Sequence, residues 1–214
     1  MKSIFLTSIL ISFALSTLGS SCDTSHYDQV RTCYNSFMNF YNFSVGVNYT
    51  LPNYEYFAIT RGEFEVGKTT DHMVKVCNIQ NSLTSCLGSS SSCINSNDMS
   101  KIFYFPDEDN IMYTSDYYVA NYECTTGYNV TIGQFNCIST IGSIAQSALN
   151  SCVDQLMSDI KSEGICKAQI DYTFCLKNVY QSLCGSDAGN FICNVQRVAL
   201  TYELPQCINQ LPKC

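Results

Sequence analysis

Ile165–Cys193, ICKAQIDYTFCLKNVYQSLCGSDAGNFIC, carries four cysteines, Cys166, Cys175, Cys184 and Cys193, each nine residues from the next. Between them Tyr172, Cys175, Leu176, Val179 and Leu183 recur at the i, i+3, i+4, i+7, i+11 spacing of one stripe of an α-helix. Nine residues at about 100° each make two and a half turns, so Cys175 points away from the side shared by Cys166 and Cys184. A helix stapled on two opposite sides sits between neighbours. Gly185 stands where a left-handed C-cap is wanted, and Ser186 and Asp187 offer the next N-cap, so a second helix is expected to follow.

Working outward, the chain opens MKSIFLTSILISFALSTLGSSC: a basic start at Lys2, an apolar run from Ile4 to Leu18, then Gly19, Ser20 and Ser21. That reads as a secretory signal peptide over residues 1–21, with one cysteine-rich extracellular domain over 22–214. The run is short for a membrane span of about 20 residues, and no other run approaches that length. Loss of such a leader removes Lys2 and leaves ten basic against eighteen acidic residues, a net charge of −8. Nucleic acid and anionic membrane are therefore poor partners, since both need clustered Lys and Arg.

All fourteen cysteines follow the leader: Cys22, Cys33, Cys77, Cys86, Cys93, Cys124, Cys137, Cys152, Cys166, Cys175, Cys184, Cys193, Cys207 and Cys214. An even number in an exported chain predicts a disulfide framework of seven bridges, with the pairing left open. Zinc-type spacing is missing, because no CxxC occurs and the histidines are two, His26 and His72. No metal and no cofactor is expected.

Other helices are expected over Asp23–Tyr41, from Thr69–Asp71 to Leu87, from Asp107 to Glu123, over Phe135–Ile160, and from Phe191 to Tyr202 before Pro205. Tyr54–Ile59 is the strand candidate, and GSSSSC at Gly88–Cys93 reads as a tethered loop. The expected architecture is all-α: a disulfide-stapled bundle of about five to six helices with long irregular loops. Three N-x-S/T sequons, at Asn42, Asn48 and Asn129, mark surface positions for glycans.

GEFEVGKT, Gly62–Thr69, fits the G-x-x-x-x-G-K-[ST] phosphate-loop pattern, but Glu63 and Glu65 stand where a polyphosphate would be cradled. His72 beside Asp71 reads as a capping-turn residue, and Asp107, Glu108 and Asp109 as a solvated helix start favoured by the helix dipole. No catalytic residue is assigned. The tyrosines Tyr104, Tyr113, Tyr117, Tyr118, Tyr122 and Tyr128 form the candidate binding face, because tyrosine offers rigid area with a polar tip. Packing of half of them in the core is the competing reading.

The nine-residue cysteine run, the Cys184–Gly185 pair and the final cysteines, preceded by VKVCNIQNSLTSCLGS (Val74–Ser89) and GYNVTIGQFNCIST (Gly127–Thr140), resemble a nematode-expanded secreted cysteine-rich domain of unknown function, family nineteen. The resemblance covers nearly all of 22–214. It implies a disulfide-stapled helical extracellular domain, a link to environmental or pathogen response, and no activity to carry over. Two function classes stay open: a non-enzymatic binding module for an extracellular protein or glycan, and a secreted enzyme or enzyme inhibitor without a recognisable motif.

Overall fold

The computed structural model describes residues 22–65, 69–105 and 109–214, so the leader-like segment lies outside the described residues. Within them the chain forms eleven α-helices: α1 (Tyr27–Phe40), α2 (Tyr54–Glu65), α3 (Thr70–Leu87), α4 (Ser96–Ile102), α5 (Asp109–Cys124), α6 (Tyr128–Gly133), α7 (Phe135–Ile138), α8 (Ile141–Ile144), α9 (Gln146–Glu163), α10 (Ile165–Cys184) and α11 (Ser186–Glu203). The only extended pairing among the described residues is a single parallel bridge between Thr50 and Tyr104. The all-α expectation holds; the count of five to six does not.

Besides α6, which forms where no helix was expected, three places account for the difference. Tyr54–Ile59 is helical, because Tyr54, Phe57, Ala58, Arg61 and Phe64 fall on one stripe of α2, with Phe57 fully buried. Asn53 Oδ1 accepts the Tyr56 N–H at 3.3 Å, and Asp109 Oδ2 accepts the Tyr54 N–H at 2.8 Å, so the helix start is capped twice. The second addition is α4, opened by Asn95, whose side chain accepts the Asp98 N–H. Thirdly, Phe135–Ile160 divides into α7, α8 and α9, broken at Ser139–Thr140 and at Ala145, which leaves helical geometry at φ −118°. Gly142 and β-branched Thr140 and Ile141 lower helix propensity across that stretch. The serine segment Gly88–Cys93 is a 3-10 turn in place of an irregular loop.

All fourteen cysteines pair, as Cys22–Cys93, Cys33–Cys86, Cys77–Cys124, Cys137–Cys184, Cys152–Cys175, Cys166–Cys207 and Cys193–Cys214. The first three close residues 22–124 and the last four close 137–214. On the C-terminal side α9, α10 and α11 are joined through Gly164 and Gly185, at φ +83° and +90°, a region open to glycine without strain. Gly185 serves both as the C-cap of α10 and as the N-cap of α11, so Ser186 begins the helix where a side-chain cap was expected. Cys152 and Cys175 lie at nearly equal distances from Gly164, which places α9 and α10 antiparallel. At the next crossing a Cβ on Gly189 would stand 3.0 Å from the Lys177 carbonyl oxygen, so glycine is what lets α11 approach α10.

Two larger cores follow the same division, and a smaller cluster of Met73, Val76, Cys77, Cys124 and Phe135 joins α3, α5 and α7. Tyr34, Phe37, Tyr41, Phe57 and Tyr113 build an aromatic core in the N-terminal part, with Phe37–Tyr41 centroids 5.4 Å apart and Phe57–Tyr113 stacked at 5.5 Å. Ile141, Leu149, Leu156, Tyr172 and Leu176 form a mainly aliphatic one in the C-terminal part. The two parts meet along α5 and α11, where Tyr118 stacks on Tyr202 with centroids 3.8 Å apart and Tyr122 lies over Phe191 at 6.0 Å.

Candidate functional site

α5 buries Tyr113, Thr114, Ser115, Asp116, Tyr117, Ala120 and Cys124, residues that point to every side of a helix. It is the central helix of the fold. That corrects the tyrosine face: Tyr113 and Tyr117 belong to the core, and Tyr118 and Tyr122 are half-buried in the joint with α11. Tyr128, half-buried, opens α6 beside Met73 and Phe135. Tyr104 is the member that stays outside, 66% exposed.

Tyr104 has company from a different part of the chain. Its N–H donates to the Tyr49 carbonyl at 3.2 Å and its carbonyl accepts the Leu51 N–H at 3.3 Å, fixing the 46–51 turn against it. The turn is closed by the Gly46 N–H to the Thr50 carbonyl at 2.7 Å and by the Thr50 hydroxyl to the Val47 carbonyl at 2.9 Å. Asn48 and Tyr49 sit at φ +60° and +59°, a left-handed conformation that costs non-glycine residues about 1–3 kcal/mol each and persists where its surroundings impose it. Val47 and Tyr49 are left 87% and 48% exposed.

Arg31 on α1 supports the turn from below. Its guanidinium lies 4.0 Å from the Tyr49 ring centroid, its Nε donates to the Ile102 carbonyl at 3.0 Å, and its Nη1 donates to Asp28 at 2.8 Å. Val47, Tyr49 and Tyr104 thus form an exposed ledge with a cation beneath one ring, an arrangement suited to covering another surface. Asn42 and Asn48 are exposed in the same segment; Asn129 is also exposed, but on α6 rather than in a loop, and the Thr131 hydroxyl of its sequon donates to the Glu123 carbonyl at 2.9 Å. No periodicity pointed to the ledge, since it joins residues 31, 47–49 and 104 across the fold.

The other sequence candidates find structural places. Gly62–Glu65 of the phosphate-loop pattern is part of α2, so it is a helix and not a loop, and Gly67 and Lys68 lie outside the described residues. Asp107 and Glu108 lie outside them too, while Asp109 caps α2. His72 Nδ1 is 3.3 Å from the Thr69 hydroxyl in the first turn of α3, and His26 Nδ1 is 2.9 Å from the Ser90 hydroxyl. Among the described residues no group of three His, Cys, Asp or Glu side chains could hold a metal ion, and no helix is long and apolar enough to cross a membrane.

Sequence reasoning missed a buried polar cluster between α2, α5 and α11. Arg61 Nη1 reaches Asp116 Oδ1 and Oδ2 at 2.6 and 2.5 Å, the Tyr54 hydroxyl donates to Asp116 Oδ1 at 3.0 Å, and the Ser115 hydroxyl donates to Glu203 Oε1 at 2.7 Å. Burial, then the Asp116 charge, pushes the Tyr54 phenol well above its ordinary range, so it remains a donor. Burial also raises the Glu203 carboxyl above its usual 4.5, against the opposing pull of the Ser115 hydrogen bond. The sign follows from proton uptake: above pH 4.5 the unfolded chain has released this proton while the folded chain still holds it, so folding stability falls as pH rises through that window. Glu203→Gln is expected to flatten that part of the urea-midpoint profile while keeping the Ser115 contact. An unchanged slope would place the pH dependence elsewhere.

No family model matches the chain, and no curated protein or solved structure does. What can be said of its activity therefore rests on its own geometry: a seven-bridge helical domain with one braced aromatic ledge.

Proposed function

We propose that the protein is a secreted, non-enzymatic binding module and that the Val47–Tyr49–Tyr104 ledge is where it meets an extracellular protein. The observation that carries this reading is the bracing of the ledge. Both backbone segments are fixed by hydrogen bonds and a left-handed turn, and the Tyr49 ring rests on a guanidinium, so little loop entropy remains to be lost on contact. Rigid amphipathic tyrosines of this kind dominate binding hot spots. The disulfide framework suits an oxidising, protease-rich surrounding, because bridges limit local opening. The leader-like segment supports export, and the sequons at Asn42 and Asn48 give this edge a glycan border when occupied.

The test is capture from extracellular fluid with the glycosylated protein, followed by titration of the captured partner against Tyr49→Ala and Tyr104→Ala. Each change is expected to weaken binding by about 1–4 kcal/mol at a true hot spot while helical circular dichroism stays the same. Ile144→Ser serves as the control, since Ile144 is an exposed apolar residue on α8, in the C-terminal part. Saturable binding indifferent to both tyrosines would move the interface elsewhere, and turnover of a captured small molecule would replace the non-enzymatic reading.

A further inference from the structure

Asp98, in α4, has no solvent-exposed surface, yet it is aimed at a backbone nitrogen 76 residues away. Its Oδ2 accepts the Cys22 N–H at 2.8 Å and the Asn95 side-chain amide at 2.8 Å; its Oδ1 accepts the Tyr27 hydroxyl at 2.9 Å. The cation near it is Lys101, 3.6 Å from Oδ1 and itself half exposed. A carboxylate wholly removed from water is costly unless charge and hydrogen bonds compensate it. Three neutral donors and a loose lysine leave room for a second positive charge, and of the three donors the Cys22 nitrogen is the one that can become a cation.

Cys22 is also the first residue after the leader-like segment and is 8% exposed. It is fixed in place by its bridge to Cys93, two residues before Asn95. We infer that the Ser21–Cys22 bond is a maturation cleavage site and that the α-ammonium it creates on Cys22 is received by Asp98 as a buried ion pair. This rests on the reading of residues 1–21 as an export leader. In the step, an endopeptidase of the leader-cleaving class breaks the amide C–N bond with one water. The hydroxyl goes to the Ser21 carbonyl carbon, leaving a carboxylate, and the nitrogen takes up protons to become an ammonium. The charge balance is one anion and one cation from a neutral amide and water. Cleavage precedes folding, because afterwards Cys22 is buried, bridged to Cys93 and held by its nitrogen on Asp98.

The carboxyl itself is suited to the role. Burial raises it, but the Asn95, Cys22 and Tyr27 hydrogen bonds and the Lys101 charge outweigh burial and hold it below the ordinary aspartate range, so it stays ionised.

The full chain is expressed with its own leader in a secreting cell, and the product is weighed intact. A mass beginning at Cys22 with an unblocked amine is expected. A mass retaining residues 1–21 would sink the export reading, whereas a new terminus at another residue would sink this inference alone. On the mature protein, acylation of the Cys22 amine by a succinimidyl ester near neutral pH is expected to be roughly tenfold or more slower than that of an unpaired α-amine of ordinary pKa, about 7.7–8.0. Reaction at the ordinary rate overturns the ion pair. One alanine inserted between Ser21 and Cys22, to displace the new ammonium by a residue, is expected to lower the unfolding midpoint. Combined with Asp98→Asn, it is expected to add little further. Full additivity of the two changes would overturn the pairing even if the acylation result stood, and the acylation measurement stands if Asp98→Asn fails to fold.

Discussion

Arg61→Met is expected to lower stability by about 3–5 kcal/mol, as removal of one partner from a buried ion pair does. Asp116 is 7% exposed at its side chain and Arg61 14%, so neither group can fall back on bulk water. Without the guanidinium the carboxylate on α5 keeps the Tyr54 hydroxyl at 3.0 Å but no longer has a cation against both oxygens. The variant also removes the guanidinium that lies 5.9 Å from the Phe57 ring, a smaller effect at that distance. Much of the loss is the penalty of an uncompensated charge rather than the worth of the pair. Arg61→Met with Asp116→Leu and Tyr54→Phe is therefore expected to recover most of it. Urea midpoints of the single and triple variants separate these effects; a single-variant loss under about 1 kcal/mol would mean that the cluster behaves as an exposed pair.

That cluster also shows where sequence reading stops. Local information is strong in this chain: the Tyr172–Leu183 stripe gives α10, the Thr69–Leu87 stripe gives α3, and Asp109–Cys124 is within a residue or two of its expected bounds. Cysteine parity gives seven bridges. What fails is local pattern with two meanings. Tyr54–Ile59 satisfies a strand by residue type and a helix by spacing, and Asn53, with Asp109 from another helix, decides between them. The tyrosines of α5 were ambiguous for the same reason. A tyrosine stripe reads equally as a recognition face or a core seam, and burial of Thr114, Ser115 and Asp116 on the remaining sides settles which. The Tyr49–Tyr104 pairing and the Arg61–Asp116 pair each join residues 55 apart in sequence, and Arg31 meets Tyr49 across a change of element, so no helical or strand period carries that information.

The bridge pattern leads to the other large expected effect. Replacing Cys77 and Cys124 together with alanine removes a bridge of sequence separation 47, for which the chain-entropy relation gives about 4 kcal/mol. Both sulfurs lie in the small cluster with Met73, Val76 and Phe135, so alanine also leaves unfilled apolar volume there. The loss is expected to be unevenly spread. Every bridge lies wholly within 22–124 or within 137–214, and the contacts between the two parts are noncovalent: the Tyr118–Tyr202 stack, Tyr122 over Phe191, and the Ser115 hydroxyl on Glu203. Amide exchange in the double variant should therefore rise in α3 and α5, which Cys77–Cys124 ties together. The α9–α10 pair, held by Cys152–Cys175 around Gly164, should keep its protection. Equal loss of protection in both parts would mean that the α5–α11 joint makes the chain a single cooperative unit despite its divided disulfides, because a joint that strong transmits the loosening of α5 directly into α11.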